Sequence, residues 1–67
     1  MTAQEIFTAA THLATRATDD RHAGFISATH AREVTDLTLK AVEDVVRYND
    51  TDSAALLIEE AAELLDL

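Results

Sequence analysis

The chain has 67 residues, enough for one small domain, and its five basic and 13 acidic residues give a formal net charge of −8. The absence of cysteine excludes disulfide bonds, thiolate zinc sites and cysteine nucleophiles. The negative charge argues against direct binding to nucleic acid or to an anionic membrane, because both need a basic footprint. We therefore expect residues 1–67 to form a single cytoplasmic domain with no secretory signal and no membrane span.

The scarcity of turn-forming residues favours helices over strands. The chain has one glycine and no proline, whereas the turns between strands usually draw on both. The apolar spacing predicts an all-α fold, a small three-helix bundle with helices over about residues 3–18, 28–48 and 53–65.

The first helix carries a start signal and a narrow apolar stripe. Thr2 and Glu5 have the spacing of a capping box, in which each side chain bonds the other residue's amide. We expect the helix to fade near Thr18, before two consecutive aspartates. Its predicted apolar stripe consists of Ala3, Ile6, Phe7, Ala10, Leu13, Ala14 and Ala17.

The connection over residues 19–27 contains the only glycine. Gly24 suits a left-handed turn position, and Ser27 suits the cap of the next helix. Phe25 and Ile26 are expected to fold back onto the core as a hydrophobic staple.

The second helix is predicted to be the central element because its apolar arc is wide, about 200° against the ~100° of an ordinary surface helix. The arc contains Val34, Leu37, Leu39, Ala41, Val42, Val45, Val46 and Tyr48. Two neighbouring helices would cover only part of such an arc, so we expect the chain to self-associate as a homo-oligomer or to bind a partner. Leu37, Val45 and Leu57 are expected in the core.

The third helix is predicted to begin after a cap at Asp50 or Asp52. Leu56 and Leu67 lie outside its apolar arc, beside the acidic residues. The arc consists of Ala54, Ala55, Leu57, Ile58, Ala61, Ala62, Leu64 and Leu65.

The sequence contains no complete metal motif. The three histidines, His12, His22 and His30, are not spaced i, i+4, so we interpret them as surface or boundary residues. Residues 50–52 resemble the start of a calcium loop, but alanines at 54, 55 and 61 occupy the places of a required ligand, the glycine and the glutamate. We predict no metal and no cofactor.

Catalytic patterns are also missing. There is no glycine-rich phosphate loop, and Ser27 and Ser53 stand at predicted helix starts, where capping explains them. A small helical bundle offers little concave surface to shift a carboxylate pKa. We predict a non-enzymatic protein with no catalytic residues. A threonine row on helix 1 (Thr8, Thr11, Thr15, Thr18) is interpreted as solvent-facing rather than as an interaction surface.

Negative charge is concentrated at one end of the sequence. Residues 33–67 hold ten of the acidic residues and only two basic ones, and no Lys or Arg follows Arg47. Like charges at i, i+3 and i, i+4 spacing repel, and a helix C-terminus disfavours negative charge. Two interpretations remain open: a solvated face that keeps the protein soluble, or a binding face that retains its charge at a cost to stability.

The binding interpretation is preferred here. Rows of carboxylates can imitate the phosphates of a nucleic acid, and a neighbouring leucine can supply an apolar contact. The candidate partner-binding residues are Asp50, Asp52, Leu56, Glu59, Glu60, Glu63 and Asp66. We expect an acidic module that acts as an inhibitor or decoy by occupying the basic, nucleic-acid-binding surface of a target protein. In size and charge alone, it resembles small acidic helical inhibitors, including phage-encoded anti-defence proteins.

The alternative is a structural role. The wide second helix and the leucine-rich third helix could pack against another chain, as in a helical homodimer or an antitoxin-like partner module. Steep salt dependence of binding to a basic protein would favour the decoy. Salt-resistant self-association would favour the assembly module.

Overall fold

The computed structural model describes residues 1–67 and contains three α-helices and no strand. They are α1 (Ala3–His22), α2 (Ala28–Tyr48) and α3 (Thr51–Leu64). Each helix packs against both others in an elongated bundle of 35 × 16 × 15 Å. The predicted all-α three-helix architecture is confirmed. None of the helices is long and apolar enough to cross a membrane.

The core is a regular seam rich in alanine. Buried positions recur every three or four residues on each helix, the spacing of coiled-coil packing. Half of the apolar core residues are alanines, and Ile6 and Val34 are the largest fully buried side chains. The apolar core consists of Ile6, Ala10, Leu13, Ala17, Ala31, Val34, Ala41, Val45, Ala54, Ile58, Ala61 and Leu65.

The predicted core residues are only partly confirmed. Val45 is buried, whereas Leu37 and Leu57 are half-buried and pack against the edge of the core. They line open grooves between α2 and α3, because small alanines occupy the central positions of the seam.

All three helices begin at side-chain caps. Thr2 and Glu5 form the predicted capping box on α1, and the hydroxyl of Ser27 accepts a hydrogen bond from the His30 amide on α2. The Asp50 carboxylate accepts one from the Ser53 amide. Because Asp50 rather than Asp52 is the cap, α3 begins at Thr51, two residues earlier than predicted.

The predicted end of α1 near Thr18 is wrong, since the helix continues for another turn to His22. Arg16 forms an i, i+4 ion pair with Asp20 at 3.0 Å, which supports this turn. Arg21 and His22 also place basic side chains at the end of the helix, where they offset the charge of the two aspartates.

The chain leaves α1 through a Schellman motif. Gly24 has φ +80°, its amide donates to the Arg21 carbonyl, and the Phe25 amide donates to the Asp20 carbonyl. The predicted left-handed glycine is confirmed.

The predicted staple is half wrong. Ile26 packs against the core, but 79% of Phe25 is exposed. The chain is no longer helical after Gly24, and successive side chains of a non-helical segment point in different directions, so only one of the pair faces the bundle.

Candidate functional site: an acidic strip on the third helix

The outward face of α3 carries a single line of acidic residues with a leucine among them. Asp52, Leu56, Glu59 and Glu63 follow one another at i, i+4, i+7 and i+11, and all four are exposed. The core residues Ala54, Ile58 and Ala61 of the same helix lie on the opposite side. We call these four outward residues the acidic strip.

The other three candidate residues lie around this strip. Glu60 is exposed on the flank of α3 that faces α2. Asp50 stands before the first turn and Asp66 after the last. At about 1.5 Å per residue, Asp50 and Asp66 are roughly 24 Å apart along the helix axis, so one compact ligand cannot contact both.

Asp50 already has a structural role as the N-cap of α3. Its Oδ1 lies 3.0 Å from the Ser53 amide nitrogen, and the hydrogen bonds from Ser53 lower the pKa of its carboxyl group. Asp52 lies in the first turn of α3, where the helix dipole favours negative charge. Folding therefore accounts for these two acids, and the binding hypothesis depends on Glu59, Glu60, Glu63 and Asp66.

No ion pair neutralises the acids of α3. The two ion pairs of the molecule, Arg16–Asp20 at 3.0 Å and Glu43–Arg47 at 4.0 Å, lie within α1 and α2. Lys40 of α2 borders the same groove as Glu60 but is not within 4.0 Å of a carboxylate oxygen. The strip is therefore an exposed row of charge with one cation at its edge.

Leu56 stands within this row of charge. It is 66% exposed, and it borders a shallow groove with Lys40, Asp44 and Glu60. Leu67 is also exposed, beyond the end of α3. The surface thus offers apolar contact area beside its carboxylates.

The C-terminal end of α3 is held by two features that local patterns do not predict. Asp66 adopts a left-handed conformation (φ +59°), and the amides of Asp66 and Leu67 donate to the carbonyls of Glu63 and Ala62 in a Schellman arrangement. His30 of α2 donates a hydrogen bond from Nε2 to the Leu64 carbonyl. This boundary histidine therefore ties the start of α2 to the end of α3.

The threonine row on α1 uses its hydroxyls within the helix. Thr11 and Thr18 donate to the carbonyls of Phe7 and Ala14, and Thr8 accepts a hydrogen bond from Gln4. The row borders an open groove on the outer face of α1. Two of its hydroxyl protons are thus already engaged, which supports the solvent-facing interpretation.

The surface of the bundle has neither an arranged metal site nor a deep cavity. No group of three His, Asp or Glu side chains is arranged to hold a metal ion, and the grooves are shallow and open. No family model matches the chain, and no curated protein or solved structure shows significant similarity to it.

Proposed function

We propose that the chain is a non-enzymatic protein-binding module whose acidic strip, with Glu60 and Asp66, occupies a basic, nucleic-acid-binding surface of a target protein. The observation that carries this proposal is the row of exposed carboxylates on α3 without an ion-pair partner. Folding alone would favour Lys or Arg near the end of this helix.

The charge density of α3 fits such a target. Four acids between Glu59 and Asp66 span about 10 Å of helix axis at about 1.5 Å per residue. This corresponds to one charge per about 3.5 Å, close to the ~3.4 Å per phosphate of one DNA strand. Along the helix axis, a surface built to bind successive phosphates therefore meets a similar density of negative charge, with Glu59 and Glu63 in the strip and Glu60 on its flank.

Leu56 supplies an apolar contact, which the carboxylates alone do not provide. Exposed ion pairs contribute little net affinity, whereas an apolar side chain buried at the centre of an interface contributes more. Because Leu56 is flanked by acids, only a partner that combines basic side chains with an apolar contact would use the whole strip.

The experiment is an affinity capture from the source cells with the parent chain and two matched variants. Glu59→Gln/Glu63→Gln removes two charges from the strip, and Asp19→Asn/Glu43→Gln removes two charges from α1 and α2. We expect the parent and the second variant to retain the same protein, and the first variant to lose it. Added duplex DNA or RNA should displace the captured protein.

Two results would contradict the decoy. One is capture of the same protein by both variants. The other is a captured protein that binds its nucleic acid and this chain at the same time, because a decoy and a nucleic acid must exclude each other.

A further inference from the structure

The central helix has an apolar row that neither neighbour covers. Leu39, Val42 and Val46 lie on one face of α2 at i, i+3 and i+7, and we call them the α2 stripe. Leu39 is 63% and Val46 70% exposed, while Val42 rests partly on the core. Single exposed leucines and valines are ordinary on protein surfaces, but an aligned row on a helix is typical of an interface.

The charges beside the stripe are balanced. Arg32, Asp36, Glu43 and Arg47 border it on α2, two of each sign, and Glu43 pairs with Arg47 at 4.0 Å. Most of the chain's excess charge lies elsewhere, including the acidic strip of α3. Two copies with a net charge of −8 repel each other, so they approach best through a neutral face.

We propose that two copies of the chain associate through the α2 stripe, with their α2 helices antiparallel about a two-fold axis. In this arrangement Leu39 of each copy packs against Val46 of the other. Arg47 then lies within one helical turn of Asp36 of the partner subunit, and the symmetry repeats this pair. The antiparallel arrangement brings Glu43 close to its own copy near the two-fold axis, where Arg47 at i+4 offsets the charge. A parallel arrangement would bring every charged residue of the face, including Arg47 and Asp36, to its own copy.

The size of the face limits the strength of this dimer. The bundle is 35 Å long and 16 Å wide, so one side offers roughly 500–600 Å² in projection. Stable interfaces bury about 800 Å² per partner. We therefore expect a reversible dimer with a Kd on the order of micromolar. Because α3 packs against α2 away from the stripe, both acidic strips remain exposed in the dimer.

Sedimentation equilibrium from 1 µM to 1 mM tests the dimer. We expect the parent to pass from monomer to dimer, and Leu39→Gln/Val46→Gln to raise Kd at least tenfold. Both side chains are largely exposed, so the fold should survive, and helical circular dichroism checks this. Leu56→Gln is the matched control: it removes an equally exposed leucine from α3 and should leave Kd unchanged.

A charge exchange tests the antiparallel arrangement. Asp36→Arg and Arg47→Asp should each weaken the dimer, and the double variant should restore most of its affinity. Any one of three results would overturn the proposal as stated. The parent stays monomeric at 1 mM, Leu56→Gln raises Kd as much as the stripe variant does, or the double variant fails to recover its affinity.

Discussion

Asp66 holds the left-handed conformation that ends α3, at a position where glycine is the usual residue. A side chain there strains the backbone, and its negative charge opposes the helix dipole. Aspartate tolerates this conformation better than most residues do, but its charge does not favour the fold at this end of the helix.

Replacing Asp66 should therefore stabilise the protein. Asp66→Asn removes the charge but keeps a residue that tolerates this conformation, so we expect the free energy of unfolding to rise by about 0.3–1 kcal/mol. Asp66→Gly also relieves the backbone and should add up to about 1 kcal/mol. Urea denaturation at low salt measures both, and a loss of stability in Asp66→Gly would disprove the assigned helix end.

The cap at Asp50 should make stability depend on acid pH. Because the hydrogen bonds from Ser53 lower its folded pKa, this carboxylate stabilises the fold above its unfolded pKa of about 3.9. That contribution is lost as pH falls through the folded pKa. Asn can still accept the bond but does not titrate, so Asp50→Asn should be less stable than the parent at pH 7. The difference in melting temperature should shrink as pH falls through the unfolded pKa and then through the lower folded pKa, and a constant difference would contradict the capping role.

At the scale of the helices, short-range patterns predicted both ends of α2 and the start of α1, but not the end of α1 or the first turn of α3. Caps act within three residues, so Thr2 and Ser27 could be predicted from the sequence, whereas Asp50 and Asp52 remained alternatives for the cap of α3. The last turn of α1 contains the Arg16–Asp20 ion pair, and the helix ends at the glycine turn that follows it rather than at the two aspartates. The prediction that Phe25 packs on the core is wrong because the turn at Gly24 decides the direction of this side chain.

In the candidate site too, the sequence predicts positions within one helix but not contacts between helices. Helical periodicity was sufficient to place the acidic strip on one face of α3, because that calculation involves a single helix. The position of Lys40 beside Glu60, and the bond from His30 to Leu64, depend on how α2 and α3 pack together. Spacing along the chain predicts neither the groove that Lys40 and Glu60 share nor the bond from His30 to Leu64.

Because the core seam is rich in alanine, burial predicts a different order for the stability losses of core substitutions than hydrophobicity alone does. Ile6 is fully buried, so Ile6→Ala should cost about 2–5 kcal/mol and can unfold a domain of this size. Leu57 is only partly buried, and Leu57→Ala should cost less than Ile6→Ala. Thermal denaturation of the two variants compares them directly, and an equal loss would place Leu57 deeper in the core than the structure does.

For the whole molecule, charge and apolar surface are divided between different faces. The α2 stripe is bordered by balanced charges, while the acidic strip of α3 carries a large part of the net charge without ion pairs. A dimer through α2 would present two acidic strips to a target. If the target has two basic sites at a matching distance, linkage of the strips would raise the apparent affinity without any new contact.

The acidic strip should lower the stability of the molecule that carries it. Glu59 and Glu63 repel each other at i, i+4, and Glu63 lies near the negative end of the α3 dipole. We expect Glu59→Gln/Glu63→Gln to raise the free energy of unfolding by about 0.5–1 kcal/mol at low salt, a rise of several degrees in Tm for a domain of this size. The gain should shrink at 1 M salt, where screening acts within a few ångströms. Asp19→Asn/Glu43→Gln, which removes as many charges but breaks the pair with Arg47, should change Tm less. If Glu59→Gln/Glu63→Gln retains the target as well as the parent does, or if it is less stable than the parent at every salt concentration, the strip is a solvated face and not a binding surface retained at a cost to the fold.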